Sequence, residues 1–244
     1  MKLFNLLLLV LMSTVFFSCE KEDPPKYDFP TVTVDGIIYG IILDPDSHFN
    51  SAHAYALDCN NCSGDIHIQD SVRYKGKWFP VKYLCERFLY GPAKVTSVSI
   101  PPTITMIGLN AFSYNGHLKE IIFKDSNQPV MVAYSIEVGG GPLCDNCTVS
   151  KLYIGRDCEI DAGDFLETIH IGPSVKHFSC TFIFDYKNIK TIICDAKIPP
   201  KVDDNTSMYR ALEQDSTTLI VPKKSLDTYK NTEPWALCKT IRTK

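Results

Sequence analysis

Val95-Thr-Ser-Val-Ser-Ile-Pro-Pro-Thr-Ile-Thr-Met-Ile-Gly-Leu-Asn-Ala-Phe112 is the stretch of the chain that decides its fold. Counted from Val95, its apolar residues stand at positions 0, +3 and +5. In a β-strand, positions +3 and +5 point to one face of the sheet and position +4 points to the other. The stretch therefore predicts a strand that buries Val98 and Ile100 and turns Ser99 outward.

The same spacing recurs along the chain, with 17 to 32 residues between successive starts. A constant strand motif joined by connections of variable length is typical of repeat proteins, in which neighbouring copies share one interior. Further buried positions are predicted at +9 (Ile104, Cys158, Val175) and at +12 (Ile107, Phe178). The other copies are Ser63-Ile66-Ile68, Leu118-Ile121-Phe123, Val149-Leu152-Ile154, Leu166-Ile169-Ile171, Ile189-Ile192-Cys194 and Ser216-Leu219-Val221.

The Val95–Phe112 stretch resembles one repeat of the BspA-like bacterial leucine-rich-repeat family, whose pattern runs strand, Ile-Pro, Ser/Thr-Val, Ile-Gly and Ala-Phe. Residues 72–81 with 87–91 resemble the family's N-terminal hairpin and first repeat, and Val221-Pro222 with Tyr229 and Trp235 resembles its closing segment. The resemblance covers roughly residues 32 to 243. It implies a mostly β, right-handed leucine-rich-repeat solenoid of about six to seven irregular coils, which acts by binding at a cell surface.

The two ends of the repeat region are predicted to be capped. Residues 29–62 contain two β-like runs, Thr31–Val34 and Ile37–Leu43, separated by the hairpin signal Asp35-Gly36. We expect this N-terminal β cap to protect the first strand of a solenoid that spans residues 63–215.

Residues 216–244 are expected to form the last strand and a C-terminal cap. Ser225 precedes a short predicted helix, Leu226–Lys230, and suits its N-cap. Trp235 and Ile241 are expected to cover the last coil.

The N-terminus predicts export and a lipid anchor. Residues 1–18 contain an apolar run from Leu6 to Phe17, shorter than the roughly 20 residues that cross a bilayer, and indicate a signal peptide. Phe17-Ser18-Cys19 resembles the lipobox of bacterial lipoproteins, which implies that Cys19 is acylated and becomes the mature N-terminus; an unmodified cysteine is the alternative. Residues 19–28 are charged and proline-rich, as in a tether. We expect an outer-membrane, cell-surface location.

Charge and motifs argue against several classes of function. Without the signal peptide the chain loses only Lys2 from 25 basic residues, so that 24 stand against 28 acidic ones. No basic run is present, which argues against nucleic-acid binding. None of the six histidines lies in a local nucleophile signature, and no Gly-x-Ser-x-Gly or His-Glu-x-x-His occurs. We therefore expect no enzymatic activity and no cofactor.

The cysteines predict neither a metal site nor a full set of disulfides. Cys59-x-x-Cys62 and Cys144-x-x-Cys147 resemble zinc half-sites, but they precede strands that are predicted to lie about 14 Å apart, too far for one zinc ion. Either pair could be oxidised in an exported protein. Cys158 and Cys194 fall on inward positions and are interpreted as small buried hydrophobic residues.

The candidate binding face is the column of +4 positions, with the neighbouring +2 column beside it. An apolar and aromatic stripe next to a polar one suits a protein interface. Strand propensity alone, or coverage by the insert at residues 125–148, would also explain it. The candidate residues are His67, Ile122, Tyr153, His170 and Ile193 at +4, with Glu120 and Lys151 at +2.

We therefore expect a surface protein of the host or of another bacterium as the partner. A glycan-capturing accessory protein and a purely structural surface protein are the alternatives. Both tryptophans, Trp78 and Trp235, are assigned to the caps, and this favours protein over glycan.

Overall fold

The computed structural model describes residues 27–46, 49–59, 61–91, 93–132, 143–144, 147–160, 165–180, 186–203 and 207–244. The signal peptide, Cys19 and most of the tether lie outside the described residues, as do His48 and Thr181-Phe182. The described chain is mostly β with few helices, which confirms the prediction of class. Its helices are α1 (Ser207–Leu212) and α2 (Leu226–Lys230).

The strands, in chain order, are β1 (Thr31–Val34), β2 (Ile37–Ile42), β3 (His53–Asp58), β4 (Ser63–His67), β5 (Ser71–Tyr74), β6 (Lys77–Leu84), β7 (Lys94–Ile100), β8 (Met106–Ile107), β9 (Glu120–Phe123), β10 (Met131–Val132), β11 (Lys151–Ile154), β12 (Cys158–Ile160), β13 (Thr168–Ile171), β14 (His177–Cys180), β15 (Thr191–Cys194), β16 (Lys201–Val202), β17 (Thr218–Val221) and β18 (Thr240–Thr243).

Eight parallel strands form one sheet whose spatial order is also their order along the chain: β4-β7-β9-β11-β13-β15-β17-β18. Neighbouring copies of the motif are paired at equal positions, so the +3 side chains stand opposite one another. This row is buried, as predicted, because each copy covers the apolar face of the next. From β7 to β17 the row reads Val98, Ile121, Leu152, Ile169, Ile192 and Leu219, each at most 1% exposed.

The N-terminal strands and the connections between the strands of the long sheet form a second layer. One sheet has the order β1-β2-β3-β6-β8-β10, with β5 on β6, and another has the order β12-β14-β16. A parallel bridge between Val130 and Cys158 links the two. The predicted +9 and +12 residues are buried in the same core cluster as the long sheet: Ile104, Ile107, Cys158, Val175 and Phe178.

The N-terminal hairpin forms as the sequence predicts. β1 and β2 are antiparallel, and Asp35 and Gly36 take φ values of 50° and 81° at the turn. The hairpin continues through β3 into the second layer, and does not pair with β4. Its turn nevertheless lies beside the start of β4, because a Cβ on Gly36 would stand 3.4 Å from Cys62 Sγ.

The C-terminal segment differs from its prediction in two ways. Helix α2 forms, but the Ser225 side chain makes no capping hydrogen bond, because a 3-10 turn over Lys223–Ser225 holds Ser225 at φ −106° and ψ −2°. A capping residue usually needs an extended backbone. Ile241 lies in an additional strand, β18, opposite Leu219, and so extends the sheet.

Among the cysteines whose side chains the structure describes, two form a disulfide, Cys85 is half-buried and the others are buried. Cys59 and Cys62 form a disulfide bond. In the other Cys-x-x-Cys pair, the Cys147 thiol donates to the Cys144 carbonyl at 3.0 Å. Cys158 and Cys194 are buried, as predicted, and burial raises the pKa of Cys194 to about 11. Within the described ranges, no three His, Cys, Asp or Glu side chains are grouped so as to hold a metal ion.

Gly155 and Arg156, which follow β11, bring neighbouring connections into contact. A Cβ on Gly155 would lie 2.7 Å from the Cα of Asp125, so only glycine permits this approach of the two backbones. Arg156 is fully buried, and its guanidinium donates to the carbonyls of Pro101, Pro102 and Ile104 at 2.9, 3.0 and 2.7 Å. No helix in the described part of the chain has the length and apolar character that a membrane crossing needs.

Candidate binding surface

Six of the seven candidate residues lie together on the outer face of the eight-stranded sheet. Register places Tyr153 of β11 between Ile122 of β9 and His170 of β13, and places Ile193 of β15 beside His170. A depression of about 370 Å³ opens over these strands. It is lined by Glu120, Ile122, Lys151, Leu152, Tyr153, Thr168, His170 and Ile193, and we call it the outer-face depression.

His67 does not belong to this group. It lies on β4, with β7 and β9 between that strand and β11, and it lines a different cleft beside the turn of the β1–β2 hairpin. Ser99, which shares the +4 column, lies between His67 and Ile122 on the outer face, but it is only 4% exposed. The apolar and aromatic part of this column therefore begins at Ile122 of β9.

Tyr153 stands at the centre of the depression and is fixed on two sides. Its ring meets the His170 ring edge to face, with centroids 4.8 Å apart and an interplanar angle of 82°. Its hydroxyl donates to Asp125 Oδ2 at 2.9 Å. Burial and the Asp125 carboxylate both raise the pKa of Tyr153, so the phenol remains protonated at physiological pH.

His170 is held from the other side by a carboxylate. Its Nε2 lies 2.8 Å from Asp195 Oδ2, and Lys244 forms an ion pair with the other oxygen of Asp195. Burial alone would raise the pKa of Asp195, but the hydrogen bonds from Lys244 and His170 outweigh burial and lower its pKa. Asp195 is therefore ionised at neutral pH and orients the imidazole.

The depression has an apolar floor beside a polar border. Ile122, Ile193 and the ring of Tyr153 supply the apolar surface, and Glu120 and Lys151 lie two residues earlier on their strands. Rigid aromatic and aliphatic side chains inside a polar rim are the arrangement that anchors a partner protein. The arrangement is thus suited to holding an extended or loop segment against the sheet.

Sequence reasoning missed the side chains that orient this surface. Asp125, Asp195 and Lys244 follow the ends of strands, and they are separated from their partners by 28, 25 and 49 residues. No local motif marks such contacts, because they exist only once the strands are stacked. Residues at the same position in each copy of the motif lie side by side in the sheet. The alignment of the copies could therefore have indicated that the strand ends lie close together.

Asp125, at the start of the 125–148 insert, contacts Tyr153, whereas β10 and Leu143 of the insert contact other parts of the chain. β10 joins β8 of the second layer, and the Leu143 carbonyl accepts from the Phe112 amide at 3.1 Å. Residues 133–142 lie outside the described part of the chain. Trp78, expected to serve a cap, is instead 66% exposed on the β5–β6 hairpin, whereas Trp235 is buried against Tyr229.

Comparison with known proteins gives matches among solved structures only. No protein-family model matches the chain, and no curated protein does. The chain is similar to a leucine-rich repeat protein from Bacteroides capillosus, at 19% identity and a TM-score of 0.41, over 67% of this chain and 97% of that one.

Two further solved structures are similar over longer stretches of this chain. One is the pneumococcal vaccine antigen PcpA, at 12% identity and a TM-score of 0.47, over 81% of this chain and 51% of that one. The other is a leucine rich cell surface protein from Faecalibacterium prausnitzii, at 17% identity and a TM-score of 0.38, over 91% of this chain and 55% of that one. The chain spans about half the length of these two proteins. Similarity this distant carries no information about function.

Proposed function

We propose that this chain is a leucine-rich-repeat solenoid, displayed on the bacterial surface by a lipid on Cys19, that binds a protein partner and catalyses no reaction. The outer-face depression is the contact surface. The partner is a surface or matrix protein of a host or of a neighbouring cell.

One observation carries this proposal: Ile122, Tyr153, His170 and Ile193 come from four successive strands and are aligned side by side over a depression of about 370 Å³. Their side chains are partly exposed although they are apolar or aromatic. Asp125 and Asp195 fix the two rings in place. A surface already ordered before binding loses little entropy when the partner arrives.

The experiment measures binding to purified collagen, fibronectin, laminin and fibrinogen by surface plasmon resonance. A variant with Tyr153, His170 and Ile193 all changed to Ser should weaken binding to the recognised protein by roughly tenfold or more, since anchors of this kind carry most of an interface's energy. A matched variant, Thr191→Ser with Thr218→Ser, changes neighbouring outward positions and should bind as the parent does.

Two outcomes contradict the proposal. If the folded triple variant binds the recognised protein with unchanged affinity, the interface lies elsewhere on the molecule. Failure of the parent chain to bind any of these proteins, or intact cells of a host or of a neighbouring bacterium, would favour a purely structural role. Circular dichroism of each variant establishes that the sheet is intact.

The lipid anchor has its own test. Changing Cys19 to Ser removes the acceptor thiol, so the chain should lose incorporation of radiolabelled palmitate and leave the membrane fraction. Cys85→Ser, a substitution far along the chain, should change neither. Retention of the Cys19→Ser variant in the membrane fraction would contradict lipid anchoring at this residue.

A further inference from the structure

Two exposed tyrosines from successive connections lie side by side on a surface remote in sequence from the outer-face depression. Tyr90 and Tyr114 are each 49% exposed. Their ring centroids are 5.1 Å apart, and the ring planes are inclined at 49°. Exposed paired aromatic rings are uncommon on a protein surface unless they contact something, because their apolar faces remain in water.

The backbone beneath the pair is firmly ordered. The Leu89 amide donates to the Ala111 carbonyl at 2.7 Å, which connects the two segments directly. Below them, the buried rings of Phe88 and Phe112 pack edge to face, with centroids 6.4 Å apart. The tyrosine rings therefore project from a fixed base.

Tyr114 also holds a costly backbone conformation. Its φ is 63°, and the equivalent position in the preceding connection is Gly91, with φ 96° and its amide donating to the Ser113 carbonyl. Glycine adopts this left-handed region freely, whereas a residue with a large side chain is strained there. Strain of this kind is often retained because the side chain serves a function.

Arg87 adds a positive charge to the tyrosine pair. Its guanidinium carbon lies 5.4 Å from the centroid of the Tyr90 ring, and its own φ is 56°. In the part of the chain that the structure describes, Arg87 makes no ion pair. The guanidinium is therefore available to a carboxylate from outside, which it can bind through two parallel hydrogen bonds.

We propose that Arg87, Tyr90 and Tyr114 form a binding site for an acidic saccharide, that is, a sugar chain with a carboxylate on its ring. The C–H faces of successive sugar units stack on the two tyrosine rings, and the carboxylate pairs with Arg87. The phenol hydroxyls donate to ring hydroxyls. This site lies outside the proposed protein-binding surface and takes a different class of ligand.

The shape of the site favours a saccharide over other ligands. The inclination of 49° prevents one flat aromatic ligand from lying against both rings, whereas consecutive sugar units are turned relative to each other. A protein interface needs about 800 Å² on each partner with an apolar centre. Apart from the two tyrosines, the exposed residues described in these connections are instead polar or glycine: Glu86, Arg87, Gly116, His117 and Lys119.

The test is titration calorimetry of the purified chain with trigalacturonic acid and with its fully methyl-esterified form. The acid should bind, and the ester should bind at least roughly tenfold more weakly because it cannot pair with Arg87. Arg87→Gln should abolish this difference between acid and ester. Tyr114→Gly should reduce affinity for the acid by about tenfold.

Tyr114→Gly also separates a binding role from a structural one. Because glycine relieves the left-handed backbone, the variant should unfold at the same temperature as the parent or at a higher one. Trp78→Ala, which removes another exposed aromatic ring, serves as the matched control and should bind the acid as the parent does. The variant with Tyr153, His170 and Ile193 changed to Ser should also bind it fully, so the two proposals can fail separately.

Three results would overturn the site: equal binding of acid and ester, full binding by Tyr114→Gly, or no binding of trigalacturonic acid by the parent chain. Binding that is lost equally in the Trp78→Ala control would place the saccharide elsewhere on the surface.

Discussion

Arg156 shows how a buried charge can be accommodated in a β-rich core. Burial lowers the pKa of Arg156 to about 10, because the charged guanidinium loses its water. Its hydrogen bonds to the carbonyls of Pro101, Pro102 and Ile104 compensate for that loss and join the connection after β7 to the one after β11. The sequence gives no sign of this contact, since most arginines are exposed.

Arg156→Ala should lower the free energy of unfolding by about 3 kcal/mol, since two buried carbonyls and one half-buried carbonyl lose charged donors. Urea denaturation followed by circular dichroism measures this loss. Arg242→Ala removes an exposed arginine on β18 and should change stability by no more than about 0.5 kcal/mol. Equal effects of the two substitutions would mean that the contacts of Arg156 do not stabilise the fold.

Asp195 makes stability depend on pH through its bonds to His170 and Lys244. Its pKa is lower in the folded chain than in the unfolded one, so it stabilises the fold above its unfolded pKa of about 3.9 and loses this effect as the pH falls through the folded value. Asp195→Asn should therefore cost about 1 kcal/mol at neutral pH. The difference from the parent should shrink below about pH 4.

Urea denaturation of parent and variant across this pH range measures the difference. Asp44→Asn, at an exposed position, should cost less than about 0.5 kcal/mol at neutral pH. A difference between parent and Asp195→Asn that grows as the pH falls would contradict the assigned sign.

At the scale of elements, the copies of the motif predicted seven strands of the long sheet and their inward rows. Such prediction works because the period of two fixes the face of every side chain once a strand is placed. It was wrong at Ser225, which a 3-10 turn prevents from capping, and it did not indicate that Ser99 on the outer face would be only 4% exposed. The copies contained no apolar pattern for β18, which was missed.

The Cys59–Cys62 disulfide closes a short loop in the connection between β3 and β4. In the unfolded, unreduced chain, an alkylating reagent should label Cys158 and Cys194 and leave Cys59 and Cys62 unlabelled until a reductant is added. Loss of this short loop closure should cost about 2 kcal/mol of stability. Peptide mass spectrometry checks the labelling, and alkylation of Cys59 before reduction would contradict the bond.

At the scale of the whole molecule, the second layer was the least predictable part. Its strands are two to four residues long at β8, β10, β12, β14 and β16, too short to carry a periodic signal. The buried +9 and +12 positions were predicted, but the pairing between those strands was not. Pairing between strands that are distant in sequence depends on the path of the connections. A single sequence contains no local signal for that path.

The candidate surface was predictable for a related reason. Once the inward rows are known, the outward columns follow, and Ile122, Tyr153, His170 and Ile193 fall on one of them. The orienting carboxylates Asp125 and Asp195 were not predictable, because they are distant in sequence. The Tyr90–Tyr114 pair was missed because its members lie outside the strand motif.

The shared interior requires that adjacent residues of each strand belong to opposite faces of one continuous sheet. Ile192 and Ile193 test it directly, since they are neighbours of the same type. Ile192→Ala should lower the free energy of unfolding by about 3 kcal/mol, because a fully buried side chain leaves a cavity in the shared interior. Ile193→Ala should lower it by less than about 1 kcal/mol. Equal losses, or a larger loss at Ile193, would contradict the shared interior and the outward surface that follows from it.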